Sequence, residues 1–380
     1  MQKKKNKLKK IFFVFGTRPE AIKLAPVIFE FKKHSKIFSV KIISTGQHKE
    51  MLDDVLEAFE ITPDINLKVM TPNQTLSEVT SKILIGIENI LIREKPDLVL
   101  IQGDTTTVLA AALACYYQKI KIAHIEAGLR SFDKYQPFPE EINRRLVSHI
   151  ADFNFAPTKK ASENLIKEGI EKNKIFIVGN TVIDALFLAL KKRKRLDKEL
   201  KKIDFRKKII LITAHRRENF GKPLEDICLA VREISQLYRD EIEIVYPVHL
   251  NPNVQETVKR NLKGISNVKL LKPLDYLSFC YLMKKCYLIL SDSGGIQEEA
   301  PSLGKPVLIL RNTTERPEVV EIGAGILVGT NKEKIVSEVE FLLNNKKKYL
   351  KMSKVKNPFG DGKASERIFK IINKIFKNLK

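Results

Sequence analysis

The 380-residue chain contains no run of eighteen apolar residues, so no segment of it reads as a membrane-spanning helix. It has only four cysteines, Cys115, Cys228, Cys280 and Cys286, and no CxxC pair among them. That pattern reads as buried free thiols in a reducing, cytoplasmic setting rather than as a disulfide framework. No HExxH motif and no His/Cys cluster suggests a metal site. The common nucleotide fingerprints are missing as well. No GxGxxG follows a strand pattern, since Gly323, Gly325 and Gly329 have the wrong spacing, and no GxxxxGK[ST] occurs. A tightly bound NAD or a P-loop nucleotide is therefore not supported. The N-terminus also lacks the apolar core of a secretion signal. Its basic run leads into IFFVF (11–15) and then at once into Gly16-Thr17-Arg18-Pro19-Glu20.

What the chain has in excess is positive charge, 68 Lys+Arg against 45 Asp+Glu, for a formal +23. Taken whole, that resembles a nucleic-acid footprint. Its distribution argues otherwise. Four stretches, 1–10, 191–208, 346–356 and 363–380, hold 29 bases and 4 acids, and the other 323 residues net −2. Charge confined to the termini and two internal stretches reads as solvated surface, so neither nucleic acid nor membrane is expected as a partner. An apolar fraction of 43% is that of a folded chain, and the length suggests two domains.

Short apolar runs alternate with amphipathic stretches. Strands are expected at 11–15, 40–44, 98–101, 120–125 and 153–156, and after residue 200 at 209–213, 243–247, 268–271, 287–291 and 307–310. Helices fall between them, for example at 20–33, 108–117, 224–238 and 296–303. Near-continuous apolar strands flanked by helices indicate parallel sheets covered on both faces. The charged stretch 186–208 separates two such series. The expected class is α/β, with two doubly wound Rossmann-like domains facing a cleft, the first over 1–185 and the second over 186–365.

In doubly wound sheets ligands bind beyond the carboxyl ends of the strands. The polar clusters fall at those ends. LVLIQGD stops on Asp104, IKIAHIEAGLR places Glu126 after a strand, and IILITAHRREN places His215 and Arg216 after another. Each has an ordinary reading beside the functional one: Asp104 as a helix cap, Glu126 as a solvated loop acid, His215 as a hydrogen-bonded structural histidine. Ser293-Gly294-Gly295 lies between a strand and a helix, where glycines admit close approach and leading amides suit an anion such as a diphosphate. Glu298 and Glu299 follow and can accept hydrogen bonds from sugar hydroxyls. Arg18 and Lys23 follow the first strand, and Arg316 in NTTERPE can pair with phosphate or form a surface ion pair.

These segments resemble one family, the non-hydrolysing UDP-N-acetylglucosamine 2-epimerases. The matching pieces are FGTRPEAIKLAPVI (15–28), QGDTTT (102–107), HIEAGLRS (124–131), PFPEEINRR (137–145), GNTVIDAL (179–186), HRRENFG (215–221), YPVHLNPNV (246–254), SDSGGIQEEAPSLGKPVL (291–308) and TTERPE (313–318), with NPFGDGKASERI (357–368) closing the series. The resemblance implies a glycosyltransferase-B-like fold whose last helix, about 366–380, returns to the first domain. It implies reversible conversion of UDP-GlcNAc to UDP-ManNAc with no metal, no NAD and no other cofactor, in a homodimer. The implied route eliminates UDP across C1–C2 to give 2-acetamidoglucal, then adds UDP back with the proton delivered to the opposite face.

By the same resemblance, Asp104, Glu126 and Glu140 match the catalytic carboxylates, and His215 matches the histidine near the leaving diphosphate. Arg18, Lys23, Ser293, Gly294, Gly295, Glu299 and Arg316 match UDP-binding positions, and Phe279 a position beside the uracil. Gln47, Glu140, Arg216 and His249 match residues implicated in a second, activating UDP-GlcNAc site. One position departs from the pattern: Leu274 stands where close relatives often carry Gln. The alternatives are a hydrolysing relative that releases ManNAc and UDP, a glycosyltransferase of the same fold, and a nucleic-acid-binding protein using the basic tracts.

Overall fold

The first unit is built on a seven-stranded parallel sheet of β1 (Lys9–Phe15), β2 (Phe38–Ser44), β3 (Ile65–Asn66), β4 (Leu98–Gln102), β5 (Ile122–Ile125), β6 (Phe153–Ala156) and β7 (Ile175–Ile177). Their order across the sheet is β3-β2-β1-β4-β5-β6-β7. The second unit carries a six-stranded parallel sheet of β8 (Lys208–Thr213), β9 (Ile242–Pro247), β10 (Val268–Leu271), β11 (Leu288–Ser291), β12 (Val307–Ile309) and β13 (Gly325–Leu327), ordered β10-β9-β8-β11-β12-β13. The computed structural model describes residues 8–47, 50–71, 73–192 and 197–378. The chain divides into residues up to Leu188 together with those from Phe359 onward, and Ala189–Pro358. Both sheets are doubly wound, as the alternation of apolar runs and amphipathic stretches indicated.

All ten expected strands are present, two with identical bounds, β6 and β10. The three unexpected strands, β3, β7 and β13, are sheet edges of two or three residues, too short to show a period. The strand expected from Ile120 begins at Ile122. Lys119 is left-handed (φ 55°), and the Ile120 amide donates to Cys115 O at 2.9 Å. Ile120 therefore closes the preceding helix rather than opening the strand. The helix expected over 296–303 runs from Gly294 to Glu299, then tightens into a 3₁₀ turn over Ala300–Leu303 around Pro301.

The helices cover the sheets through continuous apolar faces. Val79, Ile83, Ile87 and Ile90 of helix 76–94 join Ala110, Ala111 and Ala114 of helix 106–117 over Val99 and Ile101 of β4. In the second unit Leu224, Ile227, Val231 and Ile234 of helix 222–237 cover Ile210, Ile212 and Ile244. The last helix, Ala364–Asn378, packs in the first unit for the same reason. Its apolar stripe sets Phe369 5.4 Å from the Phe31 ring and stacks it on His34 at 3.9 Å. Asp184 supplies its cap, accepting the Ala364 and Ser365 amides at 3.1 and 2.8 Å.

The four cysteines are free and buried, and burial pushes the Cys228 and Cys286 thiols up to about 12. The lysine-rich tracts fall partly outside the described residues, at 1–7, 193–196 and 379–380. Lys346, Lys347, Lys351, Lys354, Lys356, Lys363, Lys370, Lys374 and Lys377, which are described, are all exposed. Among the described residues no helix is long and apolar enough to cross a membrane, and no group of three His, Cys, Asp or Glu could hold a metal ion.

Candidate functional site

Each sheet reverses its strand order once, between β1 and β4 and between β8 and β11. A crevice opens at such a switch point because the connections on either side leave in opposite directions. The candidate residues follow the carboxyl ends of β1, β2, β4 and β5 in the first unit and of β8 to β12 in the second.

In the first unit, Asp104 follows β4 through Gly103, whose φ of 83° suits glycine. Gly103 is pinned on both sides: its amide donates to Ile125 O at 3.0 Å, and its carbonyl accepts from His124 Nε2 at 2.7 Å. Burial lowers the His124 pKa to about 4, so the ring is neutral and its proton sits on Nε2. Asn143 Nδ2 donates to the Asp104 carbonyl at 2.9 Å, and Arg144 pairs with the Asp104 carboxylate. The cap of the following helix is Thr105, which accepts the Val108 amide. Asp104 is thus not the cap, and its side chain is left at the strand end.

Glu126 follows β5 in the left-handed region (φ 68°), a strained setting for a residue with a side chain. Its Oε2 accepts from Lys23 Nζ at 2.6 Å and from Asn180 Nδ2 at 3.0 Å. With 7% of the side chain exposed, it is not a solvated loop acid. Lys23, matched to UDP binding, is engaged with this carboxylate. Glu140 opens helix 140–150 with Oε2 buried and without a hydrogen-bond partner among the described residues. Asn143 and Arg144 on that same helix tie it to Asp104. Gln47 Oε1 accepts the Thr107 hydroxyl at 2.8 Å, and Thr107 meets Thr45 at 2.9 Å. Arg18 opens the helix after β1, half-buried, with no side-chain partner among the described residues.

In the second unit, the register pairs Thr213 of β8 with Ser291 of β11, and their hydroxyls lie 2.7 Å apart. The next residue after Ser291 is Asp292, fully buried. Its Oδ2 accepts the amides of His215 and Arg216, both at 2.8 Å, and Asn219 Nδ2 at 3.1 Å. The His215 ring makes no hydrogen bond among the described residues. Its Nδ1 lies 3.6 Å from Asp292 Oδ1, and its face stacks on His249 at 5.3 Å. Burial pushes the His215 pKa down and Asp292 pulls it up, while His249 and Arg216 push it down.

Ser293 precedes Gly294 and Gly295 and makes no side-chain cap bond. A Cβ placed on Gly294 would stand 3.6 Å from Arg316 Cζ and 3.8 Å from Arg216 Nη2, so two guanidinium groups border this turn. Arg316 pairs through Nε with the buried Glu298 at 2.6 Å, so its ion pair is not a surface one. Glu299 accepts from the Tyr276 hydroxyl at 3.1 Å. Arg311 holds Glu218 and Glu315, each at 2.6 Å, joining the HRREN and TTERPE segments. Burial opposes ionisation of Glu315, but Arg311 more than offsets it and holds the carboxyl at about 2. Phe279 is half-buried on helix 276–285, and Leu274 is buried just before it.

A family model described as UDP-N-acetylglucosamine 2-epimerase matches residues 30–373. The chain belongs to this family. It is 51% identical over 370 residues to the UDP-N-acetylglucosamine 2-epimerase of Yersinia pestis, covering 96% of this chain and 98% of that one. It is 52% identical over 378 residues to the enzyme of the same name from Campylobacter jejuni, covering 97% and 98%. The Neisseria meningitidis UDP-GlcNAc 2-epimerase, solved with UDP-GlcNAc bound, superposes with a TM-score of 0.89 at 48% identity over 96% of this chain and all of that one. The Methanocaldococcus jannaschii UDP-GlcNAc 2-epimerase, solved with UDP-GlcNAc and UDP, gives 0.79 at 43% over 96% and 99%. Family membership and fold, two doubly wound Rossmann-like sheets of the glycosyltransferase-B-like class, therefore agree.

Reading strand ends left out the groups that hold these epimerase-family residues in place: Arg144 and His124 around Asp104, Asn180 beside Glu126, Glu20 beneath the β1 turn, and Asp292 beneath His215. Asp292 carried a signal, since an acid directly after the apolar LILS run of a central strand is placed where burial is expected. Glu20 carried a local one too, as the acid of the Thr17-x-x-Glu20 capping box. Arg144, His124 and Asn180 act across 20 to more than 50 positions and have no local signature.

Proposed function

We propose that this chain interconverts UDP-GlcNAc and UDP-ManNAc by eliminating and re-adding UDP, and releases no free sugar. The C2 hydrogen is not next to a carbonyl, so direct deprotonation is very difficult. Elimination avoids that: a base takes the C2 proton as the C1–O bond breaks, UDP leaves with the electron pair, and 2-acetamidoglucal remains. Re-addition forms the C1–O bond again and places a proton on the other face of C2. General acid–base groups are needed for both faces, each giving roughly 10²–10⁴-fold. The observation carrying this reading is the set of carboxylates Asp104 and Glu126, beyond the adjoining strands β4 and β5, and Glu140, at the start of the helix that follows β5, with Asp104 and Glu126 held by cations. UDP is assigned to the Ser293–Gly295 turn with Arg216 and Arg316, to Arg18 and Lys23 of the first unit, and to Phe279 and Glu299 for uracil and ribose. His215 is assigned the proton of the leaving diphosphate.

Incubation with UDP-GlcNAc in D₂O is expected to place deuterium at C2 of both epimers; recovered UDP-sugar free of C2 deuterium overturns the reading. Phosphorus NMR separates it from the hydrolysing alternative, in which free UDP accumulates. A second, activating UDP-GlcNAc is assigned to Gln47, Glu140, Arg216 and His249. Turnover of UDP-ManNAc alone is then expected to lag until trace UDP-GlcNAc is added. We also propose a cytoplasmic homodimer. Leu76, Ile85 and Ile92 of helix 76–94 and the neighbouring Tyr116 and Tyr117 are exposed apolar groups suited to a second copy. Sedimentation equilibrium tests this: a single species at monomer mass would exclude it.

A further inference from the structure

The second unit holds a buried carboxylate for which the elimination has no direct use. Asp292 is fully buried, with no Lys or Arg partner among the described residues. Its Oδ2 is saturated by three N–H donors from the segment 215–219, and this locks the plane of the carboxylate. Its Oδ1 is also buried, has no hydrogen-bond partner among the described residues, and faces His215 Nδ1 at 3.6 Å. An orphaned carboxylate oxygen in the interior is costly, and a group able to satisfy it is within a small ring rotation. The opposite constraint comes from His249, whose ring lies nearly parallel to that of His215 at 13°. His249 is itself held, because its Nδ1 accepts the Asn251 amide at 3.1 Å. One face of the His215 ring is covered and one edge is turned to Asp292.

We infer that Asp292 is the positioning residue of His215: its Oδ1 receives the imidazole Nδ1–H, so that Nε2 is the atom that trades a proton with the leaving diphosphate oxygen. The neutral ring of the free protein, with its proton on Nδ1, takes a solvent proton at Nε2 as the anionic diphosphate binds. In the elimination direction this imidazolium passes the Nε2 proton to the leaving oxygen as the C1–O bond breaks, and Nε2 takes it back when UDP re-adds. Asp292 holds the ring in one tautomer and one orientation. This inference rests on the assignment of His215 to the leaving group.

The test uses selectively ¹⁵N-histidine-labelled protein, with the His215 signals among six histidines identified by their loss in His215→Asn. Wild-type His215 is expected as the Nδ1–H tautomer. In Asp292→Asn the amide oxygen takes over the three N–H donors and the amide nitrogen faces Nδ1, which forces the proton onto Nε2. We expect that tautomer exchange, with kcat lower by about tenfold or more and KM changed by less than about threefold; aspartate-to-asparagine changes that invert a catalytic histidine tautomer cost up to ~10⁴ in kcat. A wild-type Nε2–H tautomer overturns the inference, and so does an Asp292→Asn protein with wild-type kcat. The wild-type tautomer needs no variant to fold. It is also read without substrate, so an inactive wild-type protein would count against the proposed reaction and not against the Asp292–His215 pair.

Discussion

Glu20 offers a quantitative test of how the β1 turn is built. Its carboxyl is buried beneath the turn, and Oε2 accepts the Gly16 amide at 2.7 Å and the Thr17 amide at 3.4 Å. Burial raises its pKa from 4.5 to about 7, against the lowering effect of hydrogen bonds from Thr105, Gly16 and Thr17. In the unfolded chain the carboxyl has its ordinary value, so the folded state holds the proton more tightly. A displacement from 4.5 to about 7 corresponds to roughly 3 kcal/mol. The folded pKa lies above the unfolded one. The contribution is therefore fully present below pH 4.5 and is lost as pH rises towards about 7. Glu20→Gln keeps an oxygen for the Gly16 amide and removes the titration. Urea unfolding followed by far-UV circular dichroism, at intervals from pH 4.5 to 8, is expected to show wild type losing about 3 kcal/mol relative to the variant across that window. Other titrating groups cancel in the comparison because they are common to both proteins. Parallel stability profiles for the two proteins would refute the reasoning, since the buried carboxyl would then titrate alike in both states.

Other perturbations follow from named contacts. Gly16→Ala places a Cβ 2.2 Å from Thr45 Oγ1 and 2.3 Å from Thr107 Oγ1, which must break the threonine pair that supports Gln47. Thermal unfolding should show a loss of about 1–3 kcal/mol, with reduced turnover. Lys23→Met removes the cation from the nearly buried Glu126. Denaturant unfolding is expected to report a loss on the order of 3 kcal/mol, accompanied by a fall in activity. Phe369→Ala empties the contact of the last helix with Phe31, Phe38 and His34, at about 3–5 kcal/mol. Hydrogen exchange in residues 364–378 should then accelerate ahead of the sheet.

The strands at 153–156 and 268–271 were legible to the residue because each is a short, mostly apolar stretch, Phe-Asn-Phe-Ala and Val-Lys-Leu-Leu, bounded by turn signals, a property of a few adjacent side chains. The edge strand at 65–66 was not, because two residues pair with β2 only once β2 is in place. The same division runs through the site. Asp104, Glu126 and His215 stood out as polar residues directly after apolar runs. Their ordinary readings could not be dismissed from sequence, since helix capping by Thr105 or Asp104 is chemically equivalent at that level. The structure decided for Thr105, and it showed Glu126 enclosed by Lys23 and Asn180, which lie 103 and 54 positions away.

By itself the sequence determined the α/β class, the alternation that makes each sheet parallel, the family and the strand-end residues that carry charge. These depend on neighbouring side chains and their period. Only the tertiary structure decided which residues meet: that β8 lies beside β11, so Asp292 sits under His215 from 77 positions away, and that β5 lies beside β4, so His124 pins the turn before Asp104. Strand order is set by the packing of whole helices and sheets. A carboxylate's partner is therefore a consequence of the assembled core, and no local pattern of residues encodes it.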